Sequence, residues 1–213
     1  LCNADVLSKK VSHKDRNDFP LIGDGAAITV IENDKNAEDI YYLMKMDGKR
    51  RDALKIPAGG FRQPNNFETN KLYDVGDGNL RALDHMHMDG SEVFNFVQSE
   101  VPVCIDEVLM HANLAKKDID YYLFHQPNKF MLQKLREKLN VSEEKLFNNI
   151  VSKYGNPSGA SIPLVITDNL TNKMMGNELY KCCLSAFGSG LAWGCMIIEL
   201  GQMDMCRLIE SPL

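Results

Sequence analysis

Apolar residues recur at intervals of three and four from Val93 to Leu109, through Phe94, Val97, Val101, Ile105 and Val108. That spacing lines one face of a helix and predicts one over Ser91 to Ala112. Pro102, in the middle of the stretch, predicts a kink or a break, because it lacks the N–H that a helix interior needs. A short apolar run, Asp120 to Phe124, predicts a strand ending at His125. Lys129 to Leu139 predicts a second helix, with Phe130 or Met131, then Leu132, Leu135 and Leu139 turned inward. Ser161 to Leu170 predicts a third, its early Pro163 tolerated in a first turn. Two β-rich runs, Glu178 to Ala186 and Leu191 to Leu200, flank the turn Phe187-Gly188-Ser189-Gly190.

The N-terminal part is less regular. Leu1 to Asp5 reads as a strand end. Residues 21–32 read as a tight glycine turn followed by a buried strand over Ile28 to Ile31. Gly23 and Gly25 there supply positive φ or close backbone approach. From 39 to 90 the chain is irregular, with one strand candidate, Ile40 to Met46, and a loop at Pro57-Ala58-Gly59-Gly60. A long, loop-rich excursion of this kind covers or frames a site. Strand, helix, turn, helix, strand, strand is a layered α/β plan.

Composition narrows the function classes. With 213 residues, 44% of them hydrophobic, the chain buries a real core. A formal net charge of −5 argues against general nucleic-acid binding. No apolar run approaches the ~20 residues of a membrane span, and no charged-then-apolar leader suggests secretion. Cys2, Cys104, Cys182, Cys183, Cys195 and Cys206 lack paired metal-ligand spacing, and read as reduced, mostly buried thiols of a cytoplasmic protein. The chain starts with Leu1 directly in strand-like residues, which raises the expectation that an N-terminal portion precedes it.

Two polar segments stand at the ends of scaffold elements. They are His125-Gln126-Pro127-Asn128 and Tyr154-Gly155-Asn156-Pro157-Ser158-Gly159-Ala160-Ser161. A neutral imidazole and a carboxamide together can donate two hydrogen bonds to a carbonyl oxygen that gains negative charge. Taken alone, each residue has a plainer reading, as a satisfied strand-end histidine and a turn asparagine. His85-Met86-His87 lacks a carboxylate or cysteine at ligand spacing, so no metal site is expected. Gly23-Asp24-Gly25 is followed by no dinucleotide or P-loop pattern and reads as a structural turn.

Six segments, in order along nearly the whole chain, carry a family resemblance. They are Gly23-Asp24-Gly25-Ala26-Ala27, Pro57-Ala58-Gly59-Gly60, Met88-Asp89-Gly90-Ser91-Glu92-Val93-Phe94, His125-Gln126-Pro127-Asn128, Tyr154-Gly155-Asn156-Pro157-Ser158, and Ala186 through Gly194. With them the chain resembles the C-terminal part of a β-ketoacyl-acyl-carrier-protein synthase III, a condensing enzyme of the thiolase superfamily. The resemblance implies a thiolase-like layered α/β/α fold. Residues 1–38 would end the N-terminal half, 39–90 would be a loop-rich insertion framing the site, and 91–213 would form the C-terminal half.

The implied reaction is a decarboxylative Claisen condensation of an acyl-CoA with malonyl-acyl carrier protein, in fatty acid or related polyketide biosynthesis. His125 and Asn156 match the catalytic histidine and asparagine. Ser189, where the family usually has glycine, would lend its backbone N–H to an oxyanion hole. Asn128, Met88, Gly90, Ser91 and Phe187 match positions lining the pantetheine tunnel. No metal or other cofactor is implied; coenzyme A and carrier phosphopantetheine thioesters enter as substrates.

The family commonly places an arginine one turn into the helix after the histidine motif, where this chain has Lys129-Phe130. Lys129, Lys134, Arg136 and Lys138 supply positive charge there for an acidic carrier protein. The full-length protein is expected to be a cytoplasmic homodimer that binds no nucleic acid and no membrane. Nothing here matches the family's nucleophilic cysteine at a helix start, so the chain alone is expected to be inactive. The C-terminal Met203, Met205 and Cys206 stretch fits no family element and reads as a partner-facing extension. The alternative is a non-catalytic thiolase-like protein that binds a carrier or pairs with an active synthase.

Overall fold

The computed structural model describes residues 1–210. A short antiparallel pair, β1 (Cys2–Asp5) and β2 (Gly25–Ile28), opens the chain. The predicted strand over Ile28 to Ile31 is therefore shifted toward the glycines and is not buried. Ile28 is 79% exposed and Ile31 77% exposed. β2 pairs with β1 alone, and no layer among the described residues lies over these side chains.

The next strand, β3 (Tyr41–Met46), joins the central sheet. Four two-residue strands follow in the irregular segment: β4 (Leu54–Lys55), β5 (Tyr73–Asp74), β6 (Leu80–Arg81) and β7 (His87–Met88). They pair as β4 with β7 and β5 with β6. Arg81 brings a buried charge into this segment, paired with Asp15 and with Asp18 at 3.0 Å.

The first long helix, α1 (Gly90–His111), forms where the three-and-four spacing places it. Asp89 caps it, its carboxylate accepting the Glu92 N–H at 2.9 Å. Of the kink or break expected at Pro102, the break does not occur, since the helix is continuous through it. The carbonyl that Pro102 leaves without its helical donor belongs to Gln98. It accepts a 2.8 Å hydrogen bond from Lys138 Nζ.

After α1 come β8 (Tyr121–Phe124) and α2 (Lys129–Leu139), the latter with its predicted bounds. Met131, not Phe130, is the inward residue at its start; Phe130 is 60% exposed and stacks on Phe94. Two short helices escaped prediction, α3 (Ile150–Tyr154) and α5 (Thr171–Met174), on either side of α4 (Ser161–Asn169). Segments of four or five residues hold too few apolar repeats to show a period. β9 (Leu179–Gly188) and β10 (Ala192–Gly201) complete the regular structure of the described residues. β9 runs through Phe187 and Gly188, so the connecting turn is shorter than the predicted one.

The central sheet has the order β3-β10-β9-β8, parallel only between β8 and β9. One row across it reads Phe124, Ser185, Cys195, Leu43. All four residues of β8 are buried, because both sheet faces are covered. On one face Tyr122, Phe124, Cys183 and Trp193 meet Phe96, Val101, Leu132 and Leu135 of α1 and α2. On the other, Tyr121, Leu123 and Cys182 meet Ile150, Val165, Leu170 and Met174. Helices on both faces of one mixed sheet make the expected α/β/α layering.

The C-terminal stretch does not point outward as an extension. Cys206 is buried in the second core and Met203 packs against it, with the Met203 N–H bonded to the Met174 carbonyl at 2.7 Å. Only Met205 of the three faces solvent.

Candidate active site

The end of β8 places His125. Its N–H donates to the Ser185 carbonyl at 2.8 Å, continuing the parallel pairing one residue beyond Phe124. Gln126 then turns inward, fully buried, and its Nε2 donates to the Phe124 and Phe147 carbonyls at 3.1 and 3.0 Å. Asn128 caps α2, its Oδ1 accepting the Met131 N–H at 2.8 Å. Strand end, buried glutamine and helix cap thus hold the imidazole from both sides. Phe187 meets the ring edge-on at 5.5 Å between centroids.

Asn156 comes from the loop between α3 and α4, which is stapled to residues 21–23. The Asn156 N–H donates to the Leu21 carbonyl at 2.7 Å, and the Gly23 N–H to the Asn156 carbonyl at 3.1 Å. A Cβ on Gly23 would fall 1.8 Å from the Tyr154 carbonyl oxygen, so close approach is the reason for glycine there. Within the loop, Asn156 Oδ1 accepts the Ser158 N–H at 3.0 Å. The carboxamide oxygen is thereby occupied, and the Nδ2 donors have no partner among the described residues.

One hydrogen-bonded relay connects the two candidates. The Ser158 carbonyl accepts the Ser161 backbone N–H. Ser161 Oγ lies 2.8 Å from that same carbonyl and 2.8 Å from His125 Nδ1. His125 Nε2 has no partner among the described residues.

His125 and Asn156 open into one cavity of about 830 Å³. Asn128, Met88, Gly90, Phe187 and Ser189 also line it, and most of its wall is apolar. Burial pushes the His125 pKa down to about 4, against a smaller upward pull from the Ser158 carbonyl. The ring is therefore neutral at pH 7. Cys195 is the cysteine that reaches this cavity among the described residues. Its hydrogen bond to Cys104 and its burial both hold the thiol protonated. Burial likewise pushes Cys182 up to about 12. Neither has the lowered pKa of an activated nucleophile.

Residues 109–200 match the family model described as 3-oxoacyl-[acyl-carrier-protein (ACP)] synthase III C terminal. The beta-ketoacyl-[acyl-carrier-protein] synthase III of Prochlorococcus marinus subsp. pastoris is 34% identical over 201 residues, 93% of this chain and 57% of that protein. Over nearly its whole length the chain is similar to the C-terminal part of 3-oxoacyl-[acyl-carrier-protein] synthases III. The crystal structure of the 3-oxoacyl-(acyl-carrier protein) synthase from Burkholderia xenovorans LB400 superposes with a TM-score of 0.81 at 32% identity, covering 99% of this chain and 58% of that one. The synthase III from Aquifex aeolicus VF5 gives 0.69 at 28% identity, covering 92% and 56%. The fold is thus the thiolase-like one of these condensing enzymes. The chain spans a little more than half the length of each relative.

Other candidates fall into place around the synthase-like cavity. Ser91 sits beside it, in a hollow of about 430 Å³ shared with Gly90 and Asn128. Ser189 Oγ donates to the Leu54 carbonyl at 2.9 Å, tying the turn after β9 to β4. Most of the four cations proposed for carrier docking are engaged. Lys134 pairs with Glu137 at 2.7 Å, Arg136 with Glu143 at 3.1 Å, and Lys138 holds the Gln98 carbonyl. Of the four, Lys129 alone has neither an acidic partner nor a hydrogen-bonded one among the described residues.

His85 and His87 do not form a metal pair. His85 Nδ1 accepts the Ala82 N–H at 3.0 Å, and His87 Nε2 contacts the Ala82 carbonyl and the Tyr73 hydroxyl. Among the described residues no helix is long and apolar enough to cross a membrane. Ser161 is the functional candidate that sequence reasoning passed over. It stood in the quoted motif but read only as a helix start.

Proposed function

We propose that this chain is the C-terminal part of a 3-oxoacyl-[acyl-carrier-protein] synthase III, acting in fatty acid or related polyketide biosynthesis. The observation that carries this reading is the pair of unpartnered nitrogens, His125 Nε2 and Asn156 Nδ2, joined by one relay and opening into one largely apolar cavity. An apolar wall suits a pantetheine arm, and the two donors suit the thioester oxygen of a malonyl group. As the malonyl carboxylate leaves as carbon dioxide, the electrons of the broken C–C bond pass to that oxygen. The resulting enolate carbon then attacks an acyl thioester on cysteine and expels the thiolate. Donors preset around the enolate oxygen gain strength in a dry cavity and need no reorganisation during the step.

The cysteine that carries the acyl group lies, in this proposal, outside the 213 residues, so the chain alone performs no condensation. Residues 1–38 finish the N-terminal half, 39–90 frame the site, and 91–213 make up the C-terminal half. Ser189 contributes a backbone N–H to the acyl-cysteine oxyanion, and Met88, Gly90, Ser91, Asn128 and Phe187 contact the pantetheine arm. Acyl-CoA and acyl carrier protein are the partners, with no metal or redox cofactor. The full-length protein works as a cytoplasmic homodimer.

Carbon dioxide release from malonyl-acyl carrier protein by the full-length protein tests the reading. His125→Ala and Asn156→Ala should each slow it by about 10²- to 10³-fold. Normal release in either variant would overturn the assignment. A full-length protein that binds carrier but releases no carbon dioxide would point instead to a non-catalytic thiolase-like partner.

A further inference from the structure

The turn that carries Asn156 runs into a single helical turn over Ser158–Ala160 and then directly into α4. The first N–H groups of such a stretch have no partner within it. Two of them are satisfied by side chains. Asn156 Oδ1 accepts the Ser158 N–H at 3.0 Å, and Asp5 Oδ2, at the end of β1, accepts the Gly159 N–H at 2.8 Å. The next two bond along the chain, Ala160 to the Pro157 carbonyl at 3.0 Å and Ser161 to that of Ser158.

An asparagine ahead of a helix can cap the N–H two residues on or the one three residues on. For Asn156 these belong to Ser158 and Gly159. The Asp5 carboxylate already holds Gly159, and a charged acceptor holds an N–H more strongly than a carboxamide oxygen does. Asn156 Oδ1 is thereby left to Ser158. Where Oδ1 points decides which way Nδ2 faces.

Two further observations tie Asp5 to this task. A Cβ on residue 159 would fall 3.0 Å from Asp5 Oδ2, so glycine leaves the room in which the carboxylate sits. Asp5 also stands opposite Gly25 in the β1–β2 pair, which presents the carboxylate from a hydrogen-bonded strand.

We propose that Asp5 is a positioning residue that takes the Gly159 N–H, so that the Asn156 carboxamide caps Ser158 and turns Nδ2 to the cavity. The inference rests on the reading of Asn156 as a donor to a thioester oxygen.

Asp5→Ala and Asp5→Asn in the full-length protein test it, because asparagine keeps an acceptor for Gly159 and alanine does not. If Asp5→Ala does not fold, Asp5→Ser, too short to reach the Gly159 N–H, takes its place. The first readout is the ¹⁵N NMR signal of the Asn156 side-chain amide, assigned by its loss in Asn156→Ala. It should move in Asp5→Ala and stay near the wild-type position in Asp5→Asn. The kcat of malonyl decarboxylation should fall about five- to tenfold in Asp5→Ala, with KM little changed, and recover in Asp5→Asn. That is less than the 10²- to 10³-fold expected for deleting the donor itself. In an Asn156→Ala background, Asp5→Ala should cost nothing more. An Asn156 signal unmoved in Asp5→Ala, or the same loss repeated without Asn156, overturns the inference. So does an Asp5→Asn variant as impaired as Asp5→Ala. A protein whose Asn156 signal moves in Asp5→Ala and returns in Asp5→Asn, yet never releases carbon dioxide from malonyl thioesters, keeps the positioning role and refutes the functional reading.

Discussion

Lys138 Nζ donates a 2.8 Å hydrogen bond to the carbonyl oxygen of Gln98, the acceptor that Pro102 leaves without a helical partner. The helix survives its proline because a cation from α2 replaces the missing N–H. Gln98 returns the contact, its side-chain Nε2 donating to the Met131 carbonyl at 3.1 Å. Two helices that form one wall of the core are thus joined at the point where one is weakest.

The contact predicts a coupling between Lys138 and Pro102. Lys138→Met should cost about 1.5 kcal/mol in urea unfolding, the lower end of the range for a hydrogen bond to a charged group because this one is exposed. In a Pro102→Ala background the new alanine N–H can take the Gln98 carbonyl, so the same lysine change should cost clearly less. Equal costs in the two backgrounds would show that Lys138 acts elsewhere.

For the proposed docking of a carrier protein, the commitments of the neighbouring cations rank them. Lys129→Glu in the full-length protein should weaken carrier affinity more than Lys138→Glu once stability is matched, and its effect should shrink as salt rises. Titration calorimetry at two salt concentrations reads both. A larger loss from Lys138→Glu would reverse the ranking.

Arg81 is buried between Asp15 and Asp18 and holds both to the segment around β6. Removing it leaves two enclosed carboxyls without their cation, so Arg81→Met should destabilise by about 3–5 kcal/mol. Asp18 responds differently. Burial pushes its pKa up to about 6 despite Arg81, from an ordinary 3.8. The unfolded chain therefore loses this proton first, and Asp18 costs stability as pH rises through that interval. Asp18→Asn should gain stability over wild type at pH 7 and little at pH 4. Chemical denaturation at the two pH values checks the sign.

His125 titrates over the same interval with the opposite slope. Its pKa is near 4 when folded and 6.5 when exposed, so the unfolded chain takes up a proton first as pH falls. Stability contributed by the neutral ring is present at pH 7 and is lost from about pH 6.5 down to 4, on the order of 3 kcal/mol. His125→Asn should remove that slope and expose the Asp18 slope beneath it. An unchanged pH profile would place the His125 pKa near its ordinary value.

The sequence pattern carried the local elements well. Residues that repeat at three and four between Lys129 and Leu139 leave one helix face apolar, and α2 has those bounds. Four consecutive apolar residues before His125 mark a strand buried on both faces, as β8 is. The same logic failed at Ile28 to Ile31. β-branched residues report a preference for pleated, half-buried surroundings, but burial also needs a covering layer.

The candidate site divides the same way. His125 and Asn156 were legible as polar residues at the ends of ordered elements, within motifs that name a family. Their joint geometry was not. Ser161 lies 36 positions from His125 in the chain, and only the packing of α4 beside β8 brings its hydroxyl to the ring.

By itself, then, the sequence determined the layered plan and the bounds of the periodic helices and singled out two candidate donor residues, because side-chain spacing and turn chemistry are local properties. Tertiary structure alone decided that Lys138 would rescue the proline helix, that the C-terminal stretch would close the second core, and that a buried serine would meet the imidazole. Each of those depends on which distant segments pack together. A hydrogen bond across such a contact is set by orientation and burial, neither of which a linear pattern records.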